Sequence, residues 1–393
     1  MPDKDRIYLD YAATTPLRKE VLAAMTPHLG ECFGNPSSLH REGKAANEAL
    51  EIARHSLLRS LGADGFRLAF CGGGTEADNT AILGVVFAHL RAGKAASDLH
   101  LVASAVEHSA VHGALEQAAL LGVPHSLVPV DDFGRVDPTD VLRSLRPETI
   151  LVSVMAVNNE VGTMEPLTAI ASELSERGLP LHCDAIQMLG KSPLHDLIEE
   201  VDLLTLSAHK VYGPPGIAAL LVRPTLVFRG FVRGGRQEGH LRGGTQAVAQ
   251  AVGFSRAVSL VVEEMGVEVP RLCALRDRLR AGIEERLDGF RFNTPRESSS
   301  PNILNVSFGS VEGESLLRDL DQAGVAVSTG SACNVGASLP SRVLQAMGRS
   351  AEEVRGSIRF SFGCSSTPDS VDQALNCLEL AVRRLRSIAP ASR

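Results

Sequence analysis

Lys210 stands in the run Ser207-Ala208-His209-Lys210-Val211-Tyr212-Gly213-Pro214-Pro215-Gly216, where the apolar stretch 202–207 ends in a Gly/Pro turn. An ammonium at the end of an apolar strand must be solvated, paired or deprotonated. When desolvated it becomes a nucleophile that forms a Schiff base with a carbonyl compound. Ser207 and His209 flank it with donors suited to a phosphate. A surface lysine in a loop accounts for the same run equally well, so the reading needs company. Asp184, in Leu181-His182-Cys183-Asp184-Ala185-Ile186-Gln187, places a carboxylate at another apolar strand end. A buried carboxylate without a partner is costly, so a cation is implied. A pyridinium nitrogen would serve, with the acid keeping that ring electron-poor. The plainer alternative is an N-cap for a following helix.

Three further segments have related chemistry. Gly72-Gly73-Gly74-Thr75-Glu76-Ala77-Asp78-Asn79 runs from a strand through glycines into a helical pattern. Glycine lets backbone N–H groups approach an anion, and a helix N-terminus favours negative charge. A capping box from Thr75 to Asp78 is the bland reading. The run does not match the G-x-G-x-x-G fingerprint of dinucleotide sites. His108, in Val106-Glu107-His108-Ser109-Ala110, is placed to stack on a flat ring, although lone histidines more often simply pack. Asn158-Asn159-Glu160-Val161-Gly162 offers amide donors for a ring hydroxyl or a carboxylate, or makes an ordinary turn.

These residues need one scaffold. Apolar, β-rich runs alternate with helical patterns from about residue 45 to 260: 66–71, 99–104, 125–130, 149–154, 179–186, 202–207 and 217–222 read as strands. That alternation predicts a mostly parallel, helix-covered sheet of seven strands. Such sheets bind ligands at the carboxyl ends of their strands. The glycine run, His108, Asn159, Asp184 and Lys210 all follow predicted strands of this one sheet. Together they supply an anion clamp, a ring stacker, an acid for a ring nitrogen and an imine-forming amine. After about residue 255 a long helical stretch leads through a polar segment, 291–302, into alternating strand and helix patterns, which predicts a smaller α+β domain.

Bulk properties narrow the partners. A chain of 393 residues is long for one core, which favours a large domain with a smaller one. A net charge of -7 and a pI near 6.0 give nucleic acid no bulk electrostatic handle. The first sixteen residues carry no apolar signal run, and no stretch approaches a membrane span, so a soluble cytoplasmic protein is expected. Seven cysteines are scattered without a C-x-x-C pair, which argues against a disulfide framework or a zinc site. Cys71 and Cys183 lie in apolar strand patterns and read as small hydrophobes. Cys333, in Ser328-Thr329-Gly330-Ser331-Ala332-Cys333, differs: the composition around it is that of an accessible loop, suited to a reactive thiol, although an unremarkable exposed cysteine is the plainer alternative.

The chain resembles the cysteine desulfurase family, in the class V branch of fold-type I pyridoxal-phosphate enzymes. The resemblance spans nearly the whole sequence. It is carried by YLDYAATTP (8–16), FGNPSSLHREG (33–43), GGGTEADN, EHSAV, VNNEVGT, HCDAIQ, SAHKVYGPPG, RGGT (242–245), PNILNVSF (301–308), VEGESLL, STGSAC (328–333) and SIRFSFG. It implies pyridoxal 5'-phosphate as cofactor and L-cysteine as substrate. It implies that Lys210 forms the imine with the cofactor and later moves protons. Asp184 would pair with the ring nitrogen, and His108 would stack on the ring and act as an acid/base. Asn159 and Gln187 would contact the ring hydroxyl, with Asn159 also near the substrate carboxylate. The Gly74 and Thr75 backbone, Ser207 and His209 would hold the phosphate. Thr245 would reach the phosphate of a partner subunit, which implies a homodimer. Arg359 would grip the substrate carboxylate, and Cys333 would take the sulfur as a persulfide. The expected division is a segment 1–20 belonging with the small domain, a cofactor-binding domain over 21–258, and a small domain over 259–393 carrying the cysteine.

The sequence departs from the family pattern at several points. Arg236 and His240 add bulk and potential charge in the run 234–245, Asn334–Ser341 differs from the usual continuation, and Cys364 replaces a common arginine. The chain ends soon after its last helical pattern, where iron–sulfur members carry a tail that docks the cluster scaffold, so that partner is not carried over. The resemblance leaves the sulfur acceptor open between iron–sulfur assembly and thiolated cofactors or tRNA. Two rivals stay in view: a cysteine or selenocysteine lyase without an obligatory persulfide, and a non-catalytic sulfur-relay scaffold.

Overall fold

The computed structural model describes residues 6–329 and 340–388. Its strands are β1 (Ile7–Tyr8), β2 (Arg67–Cys71), β3 (His100–Ser104), β4 (His125–Val128), β5 (Thr149–Ser153), β6 (Leu181–Asp184), β7 (Leu203–Ser207), β8 (Ala218–Val222), β9 (Phe290–Phe292), β10 (Ile303–Phe308), β11 (Val325–Ala326) and β12 (Ser357–Ser361). Seven of them form one sheet in the order β2-β8-β7-β6-β5-β3-β4. Every neighbouring pair is parallel except those of β8, which runs antiparallel to both β2 and β7. All seven coincide with the apolar runs read from the sequence.

Those runs are continuous rather than alternating because both sheet faces are covered. Helices Gly74–Arg91 and Ser109–Leu120 close one face, placing Ala77, Ala81, Val85, Val111 and Ala114 against Leu101 and Leu220. The other face buries Val152, Leu204 and Leu206 against Leu50, Leu57, Phe254 and Val258. Strand order reverses between β3 and β5: β4 lies on the far side of β3, whereas β6 and β7 follow β5 in the opposite direction. Reversal opens a crevice beyond the strand carboxyl ends. His108 and Asn159 follow the two strands that flank it.

A second core gathers Leu272, Leu275, Leu279 and Ile283 with Val306, Phe308, Phe360 and Leu378. It surrounds the antiparallel sheet β12-β10-β9. Full burial of a side chain such as Phe308 or Phe360, each 0% exposed, stabilises by about 1.5–3 kcal/mol. The helix Val248–Arg286 connects the two cores, and it starts before the point, about residue 255, at which the sequence pattern changes. Its apolar face changes partner along its length, with Phe254 and Val261 in one core and Leu275 and Ile283 in the other, which blurs the periodic signal. The polar segment 291–302 contributes to this core's sheet and hydrogen bonding. Phe290–Phe292 pairs with β10, and Asn293 is fully buried, donating to Asn305 Oδ1 and Ser307 Oγ at 2.8 Å each. Tertiary hydrogen bonding outweighs composition there.

Residues 7–10 pack with this second core. β1 pairs in parallel with β11, Leu9 is buried in the cluster, and Asp10 bridges to Ser361. Among the described residues, no helix is long and apolar enough to cross a membrane.

Candidate active site

Lys210 is delivered by β7, which ends at Ser207 and passes into a single tight turn, Ala208–Lys210. That turn is tied to the N-terminal segment: Thr15 N–H and Oγ1–H both donate to the His209 carbonyl at 2.9 Å, and Tyr212 N–H donates to Thr15 Oγ1 at 2.7 Å. Lys210 Nζ donates to the carbonyls of Ala12 and Ala13 at 2.7 and 2.6 Å. Gln187 Nε2 donates to the same Ala12 carbonyl at 2.9 Å. One backbone carbonyl thus gathers two of the sequence-predicted residues, from the ends of neighbouring strands.

Asp184 closes β6 and is 5% exposed. Its Oδ1 accepts the Ile186 N–H at 2.9 Å, and turns rather than a helix follow it, so it is not a helix cap. Burial pushes its carboxyl above the usual aspartate range, while His108 and Lys210 draw it back. The carboxylate therefore lies in the field of two other predicted site residues. His182 is two residues earlier on the same face of the strand. It links Ser153 Oγ at 2.9 Å and Thr205 Oγ1 at 3.1 Å across three adjacent strands, with Asp78 Oδ1 at 3.7 Å from its Nε2. Both His182 and Asp78 are fully buried. A polar layer thus underlies the strand ends within an otherwise apolar sheet.

The capping box expected at Thr75 does not form. Helix Gly74–Arg91 starts from Gly73 with no side-chain cap, and Asp78 faces the sheet. Glu76 instead accepts the Gly72 N–H at 3.0 Å and pairs with Arg242 at 2.8 Å. The helix start approaches β7 and the turn after β6 closely. A Cβ on Gly74 would lie 2.5 Å from Ile186 Cδ1 and 3.9 Å from Ser207 Cβ. Beside it, Ser207 Oγ is buried without a hydrogen-bond partner, as is Gln187 Oε1. Leaving a buried polar atom unpaired costs about 1–3 kcal/mol. An uncapped helix N-terminus facing an unpaired hydroxyl is chemistry that fits an oxyanion. His209 adds Nδ1 against Thr14 Oγ1 at 3.1 Å, and burial together with Lys210 pulls it down to about 4, so its imidazole is neutral at pH 7. His108 caps helix Ser109–Leu120, its Nδ1 accepting the Ala110 N–H at 3.2 Å, which fixes the ring at the crevice.

Arg359 comes from the other sheet. It lies in β12, 3% exposed, donating from Nη1 to the Asn159 carbonyl at 2.7 Å and pairing through Nη2 with Asp10 at 2.8 Å. Asn158 builds the turn that presents Asn159: Oδ1 accepts the Glu160 and Val161 N–H groups, and Nδ2 donates to the Val106 carbonyl. The Arg359 backbone also exchanges hydrogen bonds with Ser328, so the chain leading toward Cys333 departs from beside this guanidinium. Cys333 itself lies outside the described residues. Thr245, Arg236 and His240 are exposed, in a segment anchored by the Arg242–Glu76 pair and by Arg54–Glu238 at 2.7 Å. Cys364 is exposed, its N–H donating to Tyr212 Oη at 2.9 Å, and Cys71 and Cys183 are buried as expected.

Sequence reasoning missed Asp10, Ala12, Asp78, His182 and Lys191. Asp10 and Ala12 lie within a recognised motif, but nothing local reveals which strand end they reach. His182 had a usable signal, its two-residue spacing from Asp184 along a strand.

A family model for the aminotransferase class-V proteins matches residues 7–374. The cysteine desulfurase IscS of Dictyoglomus turgidum is 43% identical over 98% of this chain and 97% of its own length. Among solved structures, a NifS-like protein superposes with a TM-score of 0.88 at 33% identity, covering 96% of this chain and all of its own. DndA from Streptomyces lividans gives 0.75 at 34% identity, covering 90% of this chain and 99% of its own. With the parallel sheet, the lysine turn and these matches in agreement, the chain belongs to the cysteine desulfurases of the aminotransferase class-V family.

Proposed function

We propose that this protein binds pyridoxal 5'-phosphate at Lys210 and transfers sulfur from L-cysteine to Cys333, releasing L-alanine. One observation carries the reading: a lysine amine and a buried carboxylate stand at neighbouring strand ends, beside an uncapped helix N-terminus and an unpaired Ser207 hydroxyl. When bound, the cofactor supplies an electron-poor ring that stabilises negative charge developing on the substrate. Asp184 would hold its ring nitrogen protonated, and the burial that raises this carboxyl also strengthens its pull on a cation. The Gly74 and Thr75 N–H groups, Ser207 and His209 would hold the phosphate, with Thr245 of a second copy completing the clamp. His108 would stack on the ring. Gln187 Oε1 and Asn159 would face the ring hydroxyl.

Lys210 would exchange its carbonyl partners for the cofactor and afterwards carry protons at the substrate carbon atoms. Arg359 would take the substrate carboxylate in a two-pronged grip, with Asp10 orienting the guanidinium. Cys333 would attack the substrate sulfur: the Cβ–S bond breaks, an S–S bond forms, and alanine leaves with the proton that the thiol gave up. Carbon is reduced by the two electrons that the sulfur pair loses. The proposal extends to a cytoplasmic homodimer with a protein sulfur acceptor, and to a domain division near residue 258.

The test is direct. Purified protein given pyridoxal phosphate should show a visible absorption band that Lys210→Ala abolishes. L-Cysteine should yield alanine in step with labelled sulfur on Cys333. A wild-type protein that stays colourless and makes no alanine would overturn the reading. Cys333→Ser separates desulfurase from lyase: sulfide release that survives unchanged would assign the lyase.

A further inference from the structure

We propose that Lys191 is a positioning residue for Lys210: it clamps the turn carrying that amine from behind and keeps a second positive charge beside it. The inference rests on the pyridoxal-phosphate reading of Lys210. Lys191 ends the turn that follows Asp184, and its Nζ donates to two backbone carbonyls, those of Leu189 and of Lys210 itself, each at 3.3 Å. Residue 210 is thus held at both its side chain and its main chain. Lys210 Nζ reaches forward to Ala12 and Ala13, while Lys191 holds the Lys210 main chain.

The surroundings keep the Lys191 charge unneutralised. It lines a small cavity of about 20 Å³ together with Lys210, Arg18, Tyr212, Glu264 and Glu268. Both carboxylates there are already paired with arginines, Glu264 with Arg18 at 2.6 Å and Glu268 with Arg271 at 2.8 Å. Burial first, and the charge of Lys210 second, pull Lys191 down to about 8, so it is still protonated at pH 7. Two like charges in one enclosed space disfavour one another. An amine that must lose its proton to react gains from such a neighbour, as does a bound cofactor whose linkage to that amine sheds a proton. Other titratable groups near Lys210 are His209 and Asp184, both coupled to its charge, and Arg18, Tyr212, Glu264 and Glu268 in the shared cavity. Arg18 is paired with Glu264, whereas Lys191 is hydrogen-bonded to the Lys210 main chain itself. No motif singled out in the sequence includes Lys191.

The experiment loads wild type, Lys191→Met and Lys191→Arg with pyridoxal phosphate and titrates the visible band against pH. In Lys191→Met the midpoint should rise by about one pH unit, the usual scale for losing a close like charge. Lys191→Arg should return most of that shift. A midpoint in Lys191→Met equal to that of wild type, with the band intact, would reduce Lys191 to a structural clamp and overturn the inference. If Lys191→Met does not fold, Lys191→Gln is judged by the same two outcomes. A wild type without a Lys210-dependent band sinks the cofactor reading, whereas a normal band with an unmoved midpoint sinks only the role of Lys191.

Discussion

At the scale of single residues, the site is built from polar atoms left unsatisfied until a ligand arrives. Ser207 Oγ is buried, unpartnered and adjacent to the start of helix Gly74–Arg91. Removing an unpaired buried hydroxyl costs the empty fold nothing, but it removes a donor from the ligand. In Ser207→Ala the melting temperature of cofactor-free protein should hold or rise slightly. Pyridoxal-phosphate affinity, read by band titration, should fall about tenfold. Arg359 makes the converse point. Its Nη1 and Nη2 bind the Asn159 carbonyl and Asp10 in two directions, a geometry that a lysine cannot reproduce. Arg359→Lys should raise the KM for cysteine by at least about tenfold through loss of the bidentate grip. Cofactor affinity should fall less than substrate affinity in that variant, since Arg359 reaches the residues assigned to the ring only through the Asn159 carbonyl.

At the scale of elements, close approach decides which parts can move. The turn after β6 carries Gly190 at φ +70, and a Cβ there would lie 2.8 Å from Val261 Cβ on helix Val248–Arg286. Left-handed backbone and contact with a branched carbon combine, so Gly190→Ala should destabilise the protein by about 1–3 kcal/mol in urea unfolding. The same turn seats Lys191, so the damage should extend to the cofactor band. The start of helix Gly74–Arg91 is different, because there the intruding atom would be only the tip of Ile186. The helix itself was legible from its spacing, but its cap was not. Glu76 is drawn away to Gly72 and Arg242 and Asp78 to the sheet, and both partners are remote in sequence or in face.

At the scale of the whole molecule, buried titratable groups set opposing limits on stability. Burial pulls His182 down to about 3. The unfolded chain takes up that proton near about pH 6.5, so this contribution is complete above about 6.5 and is lost as pH falls toward the folded value. Glu165, pushed up to about 8 by burial, has the opposite sign, its contribution being present at low pH and lost as pH rises toward 8. The two partly cancel in wild type, so single variants are the informative measurement. His182→Gln should flatten the fall of melting temperature between about pH 6.5 and about pH 4, whatever its absolute stability. A slope equal to that of wild type would mean that His182 is protonated in the folded state.

What the sequence determined by itself was the set of local identities. Seven apolar runs became seven strands because a sheet covered on both faces demands continuous apolar residues. Lys210, Asp184, His108 and Asn159 stood at run ends because strand ends are where chain polarity changes. Only the tertiary structure decided what meets at those ends. Strand order, which local patterns do not encode, sets the reversal between β3 and β5 and with it the crevice. Residues 9–15 reach Lys210, Gln187 and Arg359 through backbone carbonyls and one carboxylate, contacts with no signature in side-chain type. Asp78 read as an ordinary cap and Lys191 carried no signal until packing buried one beneath the site and enclosed the other beside it. The physical reason is common to all of these: a hydrogen bond or a charge at close range acts through space, and residues nearly two hundred positions apart in the chain become neighbours only once the cores have formed.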